Sequence, residues 1–333
     1  PPRSTHCISS AASDVYKRQP DNTLPSSIAD MPVQYAANPR TEAEVRARYF
    51  NTGNAFNIQL PNVPNAVFTE EPRLAFSKET KTGLIPCDTS GEMECKFPAT
   101  SPFVLAYYAR INANETLTTD FVASGSIYYV IQGEGKTVSG DESISWGCGD
   151  IFVLPGGERQ IHQASKEMAI LWVVTNEPQL AFEHLQSPEK GAAPTEIIHY
   201  PASEIKKQIE LIYKVGRGDD IAGSALIFSS SMQEETRNVL PTLTLAMNSL
   251  PAGGSQRPHR HNSVAVSLVI KGENCFSMID GERKDWAPWA TTITPPVSVH
   301  SHHNEGDEQS MFLIVQDGGL YYHARAMGFE FVD

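Results

Sequence analysis

No stretch of this 333-residue chain comes near the ~18 consecutive apolar residues a membrane-crossing helix requires. Positive charge is also scarce. There are 26 Lys and Arg against 39 Asp and Glu, a formal net charge of −13. That balance argues against nucleic acid, whose phosphates are held by Lys and Arg, and against an anionic membrane surface. Cysteine is sparse: five residues, an odd number, with no CxxC pair. A disulfide framework is therefore not expected, and a reducing cytoplasm is the plain reading. There is no P-loop, no dinucleotide-type glycine fingerprint and no GxSxG elbow, which sets aside the nucleotide and serine-hydrolase classes those motifs mark. Gly133-Glu134-Gly135 reads as a hairpin turn.

What is present is an ordinary globular composition, 40% hydrophobic and 20% charged, on a chain long enough for two domains. Residues 1–19 lack an apolar secretory core and any periodicity, and read as a non-native or disordered segment. Residues 20–99 read as an N-terminal arm and linker. Within them Thr41-Glu42-Ala43-Glu44 forms a capping box, predicting a short helix through VRARYF that stops at Asn51-Thr52-Gly53. From Val67 onward short apolar runs alternate with Gly, Asp, Asn and Pro, the pattern of an all-β sandwich or barrel. The run HYPASEIKKQIELIYK is the exception, with helical period.

Two halves of the chain repeat. SIYYVIQGEG at Ser126–Gly135 matches AVSLVIKGEN at Ala265–Asn274, and each is followed by a strand pair and an apolar strand (MAILWVVTNEP and SMFLIVQDGG). Two copies of one β unit are expected, at 100–185 and 240–333, joined by a helical linker at 186–239. The four tryptophans, Trp146, Trp172, Trp286 and Trp289, read as core or interface aromatics.

The chemistry concentrates in GGSQRPHRH (Gly253–His261) and PPVSVHSHHN (Pro295–Asn304). His259 and His261 stand two apart, so on a strand both point to one face. His300 can join them from a neighbouring strand. Three imidazoles with open coordination positions suit a catalytic divalent metal.

These strings resemble the two motifs of the cupin superfamily. In the first, five residues separate Gly253 from His259-Arg260-His261, and Gly272 stands at the closing glycine. In the second, Pro295, His300 and Asn304 fit. The resemblance implies two double-stranded β-helix barrels per chain, an all-β bicupin with a short helical N-terminal arm. HRHNSVAVSLVIKG and TPPVSVHSHHNEGDE resemble, within that superfamily, the gentisate 1,2-dioxygenase family. Three departures stand out. The motif glutamate is replaced by Ala265, the arginine usual in that family by Ser267, and the metal motif lies in the second barrel rather than the first. Aligning VIQG with VIKG puts Asp120 and Val122 at the His-x-His positions of the first barrel, Ser126 at its glutamate and Gln160 at its last histidine, with His162 two residues late. The first barrel thus reads as degenerate, with a packing and dimer-forming role.

The resemblance implies an Fe(II)-dependent ring-cleaving dioxygenase of an aromatic hydroxy acid of the gentisate or salicylate kind. His259, His261 and His300 would hold the metal, with zinc, manganese or nickel as alternatives. The partners implied are a small anionic substrate, O2 and a second copy of the chain in a dimer or tetramer. By strand parity Arg257 faces the same way as the histidines and is a candidate clamp for a substrate carboxylate, while Arg260 points away. His302 shares the parity of His300 and is a candidate proton shuttle. Two other readings stand beside this one: a metal-dependent bicupin lyase or isomerase of a small acid, and a non-catalytic metal- or ligand-binding bicupin.

Overall fold

The computed structural model describes residues 25–215 and 224–332. The expectation for residues 1–19 lies outside them. The chain divides into two compact units, 1–60 and 61–333. The first carries a 3-10 turn at Ile28–Asp30, a Gln34–Tyr49 bridge and a helix at Glu42–Val45. The helix begins as the capping signal predicts, with Glu44 N donating to Thr41 Oγ1 at 3.2 Å. It then ends after four residues rather than running through VRARYF. None of its residues is buried, so there is no apolar face to carry it beyond the cap.

The second unit holds strands β1 (Val67–Phe68), β2 (Gly83–Cys87), β3 (Leu105–Ile111), β4 (Thr116–Thr119), β5 (Gly125–Gln132), β6 (Glu134–Ser139), β7 (Glu142–Gly147), β8 (Ile151–Pro155), β9 (Gln160–Ala164), β10 (Ala169–Thr175) and β11 (Ile198–Tyr200). A helix at Ala202–Lys214 follows, and then β12 (Ser224–Phe228), β13 (Thr244–Leu250), β14 (His259–His261), β15 (Ala265–Lys271), β16 (Cys275–Ile279), β17 (Glu282–Asp285), β18 (Thr291–Thr294), β19 (His300–Asn304), β20 (Ser310–Gln316) and β21 (Phe329–Phe331). Each half builds a six-stranded antiparallel sheet facing a smaller one. The N-terminal barrel pairs β11-β8-β5-β10-β3-β2 with β4-β9-β6-β7. The C-terminal barrel pairs β1-β18-β15-β20-β13-β12 with β17-β16-β19-β14-β21.

One edge strand of the large sheets crosses between the barrels. β1 precedes the first barrel in sequence yet pairs with β18 of the second, Val67 opposite Thr292. β11, which follows the first barrel, takes the equivalent place on β8. Central strands of the large sheets such as β5 and β10 are buried on both faces, which explains their unbroken apolar runs such as AILWVVT. One face closes over its own barrel. The other contributes to a core shared between the barrels, with Tyr108, Trp172, Leu245, Met247, Val266, Leu313 and Val315. Polar groups bridge it. Trp172 Nε1 donates to Thr291 Oγ1 at 2.9 Å, and Tyr108 Oη lies 2.7 Å from the same hydroxyl while donating to the Trp289 carbonyl.

The pairing revises the alignment of the two halves. His259 on β14 stands opposite His300 on β19, whereas Thr119 on β4 stands opposite Gln160 on β9. Thr119, not Asp120, is the counterpart of His259. It is buried, and Asp120 and Val122 are exposed. The cause is one additional residue in the first barrel. Asn176 Oδ1 accepts from Ser124 N where Asp317 Oδ1 accepts from Val264 N, and Ser126 pairs with Thr175 as Ala265 pairs with Gln316. Ser124 to Ser126 is two steps and Val264 to Ala265 is one, so matching VIQG to VIKG slips the residues upstream.

Candidate metal centre

His259 and His261 alternate on β14, with Arg260 between them pointing outward to pair with Glu330 on β21. His300 enters from the facing strand. All three rings are buried, and their ligand nitrogens all lie within 4.8 Å of one another. The same local device orients each ring. His259 Nδ1 lies 2.8 Å from the Arg257 carbonyl, His261 Nδ1 2.9 Å from that of Ser263, and His300 Nδ1 2.9 Å from that of Ser298. A carbonyl only accepts, so every Nδ1 carries its proton and every Nε2 presents a lone pair. That is the tautomer a metal ligand needs, fixed by an outer hydrogen bond. Burial favours the neutral form of all three, and His300 is driven down to about 3 by burial and by the two neighbouring imidazoles. Among the described residues no carboxylate belongs to the cluster. A donor set of three neutral, convergent nitrogens fits a divalent transition metal and leaves it coordinatively open.

The side chains around the rings differ from the sequence expectation in part. Arg257 precedes β14, so strand parity does not govern it. Its side chain is exposed, with Cζ 4.5 Å from the Phe331 ring centroid. Phe329 and Phe331 on β21 pack beside His259 at 5.3 and 6.4 Å between centroids. His302 lies behind His300, 5.8 Å between ring centroids, and is buried. Its Nδ1 is 2.8 Å from Ser277 Oγ, which also accepts from Trp286 Nε1 at 2.9 Å. Burial holds its pKa well below the usual value for histidine. The first barrel repeats this arrangement. His162 Nδ1 is 2.8 Å from Thr137 Oγ1, which accepts from Trp146 Nε1 at 2.8 Å. His302 therefore has a share in barrel packing that is independent of any ligand. Asn304 is buried, giving Nδ2 to the carbonyls of Leu250, Pro251 and Glu308.

In the first barrel the position of His300 is filled by Gln160, whose Oε1 accepts from Thr119, Ser126 and Tyr128 hydroxyls at 3.2, 3.2 and 2.5 Å. That hydroxyl-rich knot has no set of convergent nitrogens.

One group near the centre escaped the sequence reading. Gln316, the last residue of β20, places Nε2 3.2 Å from His261 Nε2. It also lines a cavity of about 760 Å³ whose wall includes Thr244, Ala246, Arg237, His323 and Arg325. The imidazoles themselves do not line this cavity, nor does Arg257; Gln316 is the residue common to cavity and cluster.

Two six-plus-small-sheet barrels in one chain, one bearing the histidine trio, decide the architecture. The fold is that of a bicupin. A cupin-domain family model matches residues 247–316 of this bicupin. A 1-hydroxy-2-naphthoate 1,2-dioxygenase of Nocardioides sp. (strain KP7) is 40% identical over 73 residues, 22% of this chain and 19% of that protein. A gentisate 1,2-dioxygenase of Ralstonia sp. is 32% identical over 82 residues, 25% of this chain and 23% of that protein. A 5-aminosalicylate 1,2-dioxygenase of Comamonas sp. is 30% identical over 132 residues, 35% and 34% of the two chains. The bicupin thus spans about a fifth to a third of the length of these relatives. The crystal structure of a salicylate 1,2-dioxygenase from Pseudaminobacter salicylatoxidans superposes with a TM-score of 0.69 at 15% identity, covering 85% of this chain and 92% of that one. The bicupin is similar in fold to that protein along most of its length, and in sequence to the three dioxygenases over shorter stretches.

Proposed function

We propose that this bicupin is a metal-dependent ring-cleaving dioxygenase of an aromatic hydroxy acid, with His259, His261 and His300 as its metal ligands and Fe(II) as its metal. The observation that carries the reading is the convergence of three buried imidazoles in the Nδ1–H tautomer with no carboxylate among them. Similarity to dioxygenases of gentisate, 5-aminosalicylate and 1-hydroxy-2-naphthoate supports the substrate class.

Bound iron would supply open positions for a chelating acid and for O2, and the one-electron chemistry that joins them. The chain's own residues do the rest. The carbonyls of Arg257, Ser263 and Ser298 hold the rings in register, so little reorganisation is left for the reaction. A neutral ligand set preserves the full 2+ charge, which attracts an anionic chelator despite the protein's net negative charge. The cavity at Gln316 has a volume in the range of small-molecule pockets, roughly 300–1,000 Å³. Arg237 and Arg325 on its wall offer positive charge to a carboxylate, the role the sequence suggested for Arg257.

The test is elemental analysis of protein purified without chelators, followed by O2 uptake with gentisate, salicylate, 5-aminosalicylate and 1-hydroxy-2-naphthoate. Iron content with stoichiometric O2 consumption is expected. Iron-loaded protein inert to the whole panel overturns the dioxygenase reading. His300→Ala should weaken metal binding at least about 100-fold, the upper end of what outer-shell changes alone produce.

A further inference from the structure

Ala265 occupies the place of the motif glutamate, and its methyl group has no lone pair to offer a metal. Directly across the sheet from Ala265, in register between β15 and β20, stands Gln316. Opposed residues on antiparallel strands keep their Cβ atoms roughly 4.5–5.5 Å apart. A long side chain at 316 therefore reaches the space a long side chain at 265 would fill, and Ala265 leaves that space open. Gln316 uses it, with Nε2 3.2 Å from His261 Nε2. His261 Nδ1 has its proton committed to the Ser263 carbonyl, so the Gln316 N–H donates to the Nε2 lone pair, the same lone pair a metal would take.

The side-chain amide carries a donor at one corner and an acceptor at the other, exchanged by a half-turn about its last torsion. Once the His261 lone pair is committed elsewhere, the N–H loses its acceptor and the turned amide presents Oε1 to the same point. We propose that Gln316 is the fourth protein ligand of this metal site, supplying its amide oxygen from the strand beside the one that would carry the motif carboxylate. The proposal rests on the reading that His259, His261 and His300 bind a metal.

A second observation separates this residue from ordinary barrel packing. Its counterpart in the first barrel is Thr175, which is buried and donates to Glu177 Oε2 at 2.8 Å. The amide occurs in the barrel that has the histidines and not in the one that lacks them. The chemistry is apt: a carbonyl oxygen adds a donor without adding negative charge, so the ion keeps its attraction for an anionic chelator. Because Gln316 also lines the cavity, an acid entering there meets this amide first and can displace it more readily than a carboxylate.

The full-length apoprotein is titrated with Co(II), the dissociation constant is measured by chelator competition and the visible absorption of the bound ion is recorded. Gln316→Leu, of similar size and without a donor, is expected to weaken binding roughly tenfold, at the low end of the 10–100-fold range for perturbed metal surroundings, and to change the cobalt bands. Gln316→Glu is expected to bind tighter than wild type. Thermal melts check that each variant folds. Unchanged affinity and spectrum in Gln316→Leu overturn the proposal, and should that variant misfold, unchanged affinity in Gln316→Glu does so instead. His300→Ala separates the two levels. If it binds Co(II) as wild type does, the metal-site reading itself fails; if it fails to bind while both Gln316 variants match wild type, only the role of Gln316 falls.

Discussion

At the scale of single residues, the buried histidines show how position decides the meaning of a side chain. His259, His261 and His300 have their Nδ1 protons tied to carbonyls two residues away, which turns each Nε2 lone pair toward the centre of the cluster. His162 instead has both nitrogens occupied, by Thr137 Oγ1 at 2.8 Å and Thr119 Oγ1 at 3.1 Å. It is a packing group, and it carries a pH signature. Burial lowers its pKa from 6.5 to about 4. The unfolded chain takes up this proton near pH 6.5 and the folded chain only near 4, so the unfolded state holds more protons in between. Stability from this group is therefore complete above pH 6.5 and declines as pH falls towards 4, by at most about 3 kcal/mol at 1.36 kcal/mol per pKa unit. His162→Gln should be less stable than wild type at pH 7.5, and the gap in denaturant midpoint should narrow at pH 4.5. A gap that stays constant with pH would contradict this account. In the cavity, Arg325→Ala should raise KM for an acid substrate with a smaller effect on kcat, if its charge acts on binding rather than on the chemical step.

At the scale of elements, the short strands matter out of proportion to their length. β21 is three residues long, yet it pairs along β14, pins Arg260 through Glu330 and sets Phe329 and Phe331 beside His259. Removing residues 329–333 should weaken Co(II) binding while the far-UV spectrum of the barrels persists, because it loosens the strand that presents two of the three ligands. β18 joins its barrel to the other through Thr291, whose hydroxyl meets Tyr108 and Trp172. Thr291→Val keeps the shape and removes the partner of a buried indole N–H, at a cost of about 1–3 kcal/mol. Chemical denaturation would read it, and a variant as stable as wild type would mean the hydroxyl contributes no net free energy.

At the scale of the whole second unit, β1, which crosses to the second barrel, and the core shared by Trp172, Tyr108, Leu245 and Val315 leave neither barrel with a complete set of apolar contacts of its own. Residues 61–333 should therefore unfold in one calorimetric transition, not two. A metal that binds only the folded state should raise that single transition temperature in proportion to the logarithm of its free concentration. Two resolved transitions, with only one responding to metal, would show that the barrels fold independently.

How much of this was legible in the chain follows from the range of each signal. Local periodicity and motif spacing were enough for the β architecture, the repeat and the trio His259, His261 and His300, because two-residue alternation sets the face of a strand without help from elsewhere. The same logic does not reach Arg257, which lies before its strand begins. It failed for Asp120 and Val122, where one additional residue near Ser124 shifts the register, and for the helix after Thr41, where a cap without a buried face sustains four residues. Gln316 carried no motif, being 55 residues from the His261 it touches. Only the pairing of β15 with β20 brings its amide to the place of the missing carboxylate, since side chains from distant segments meet by strand register and not by spacing along the chain.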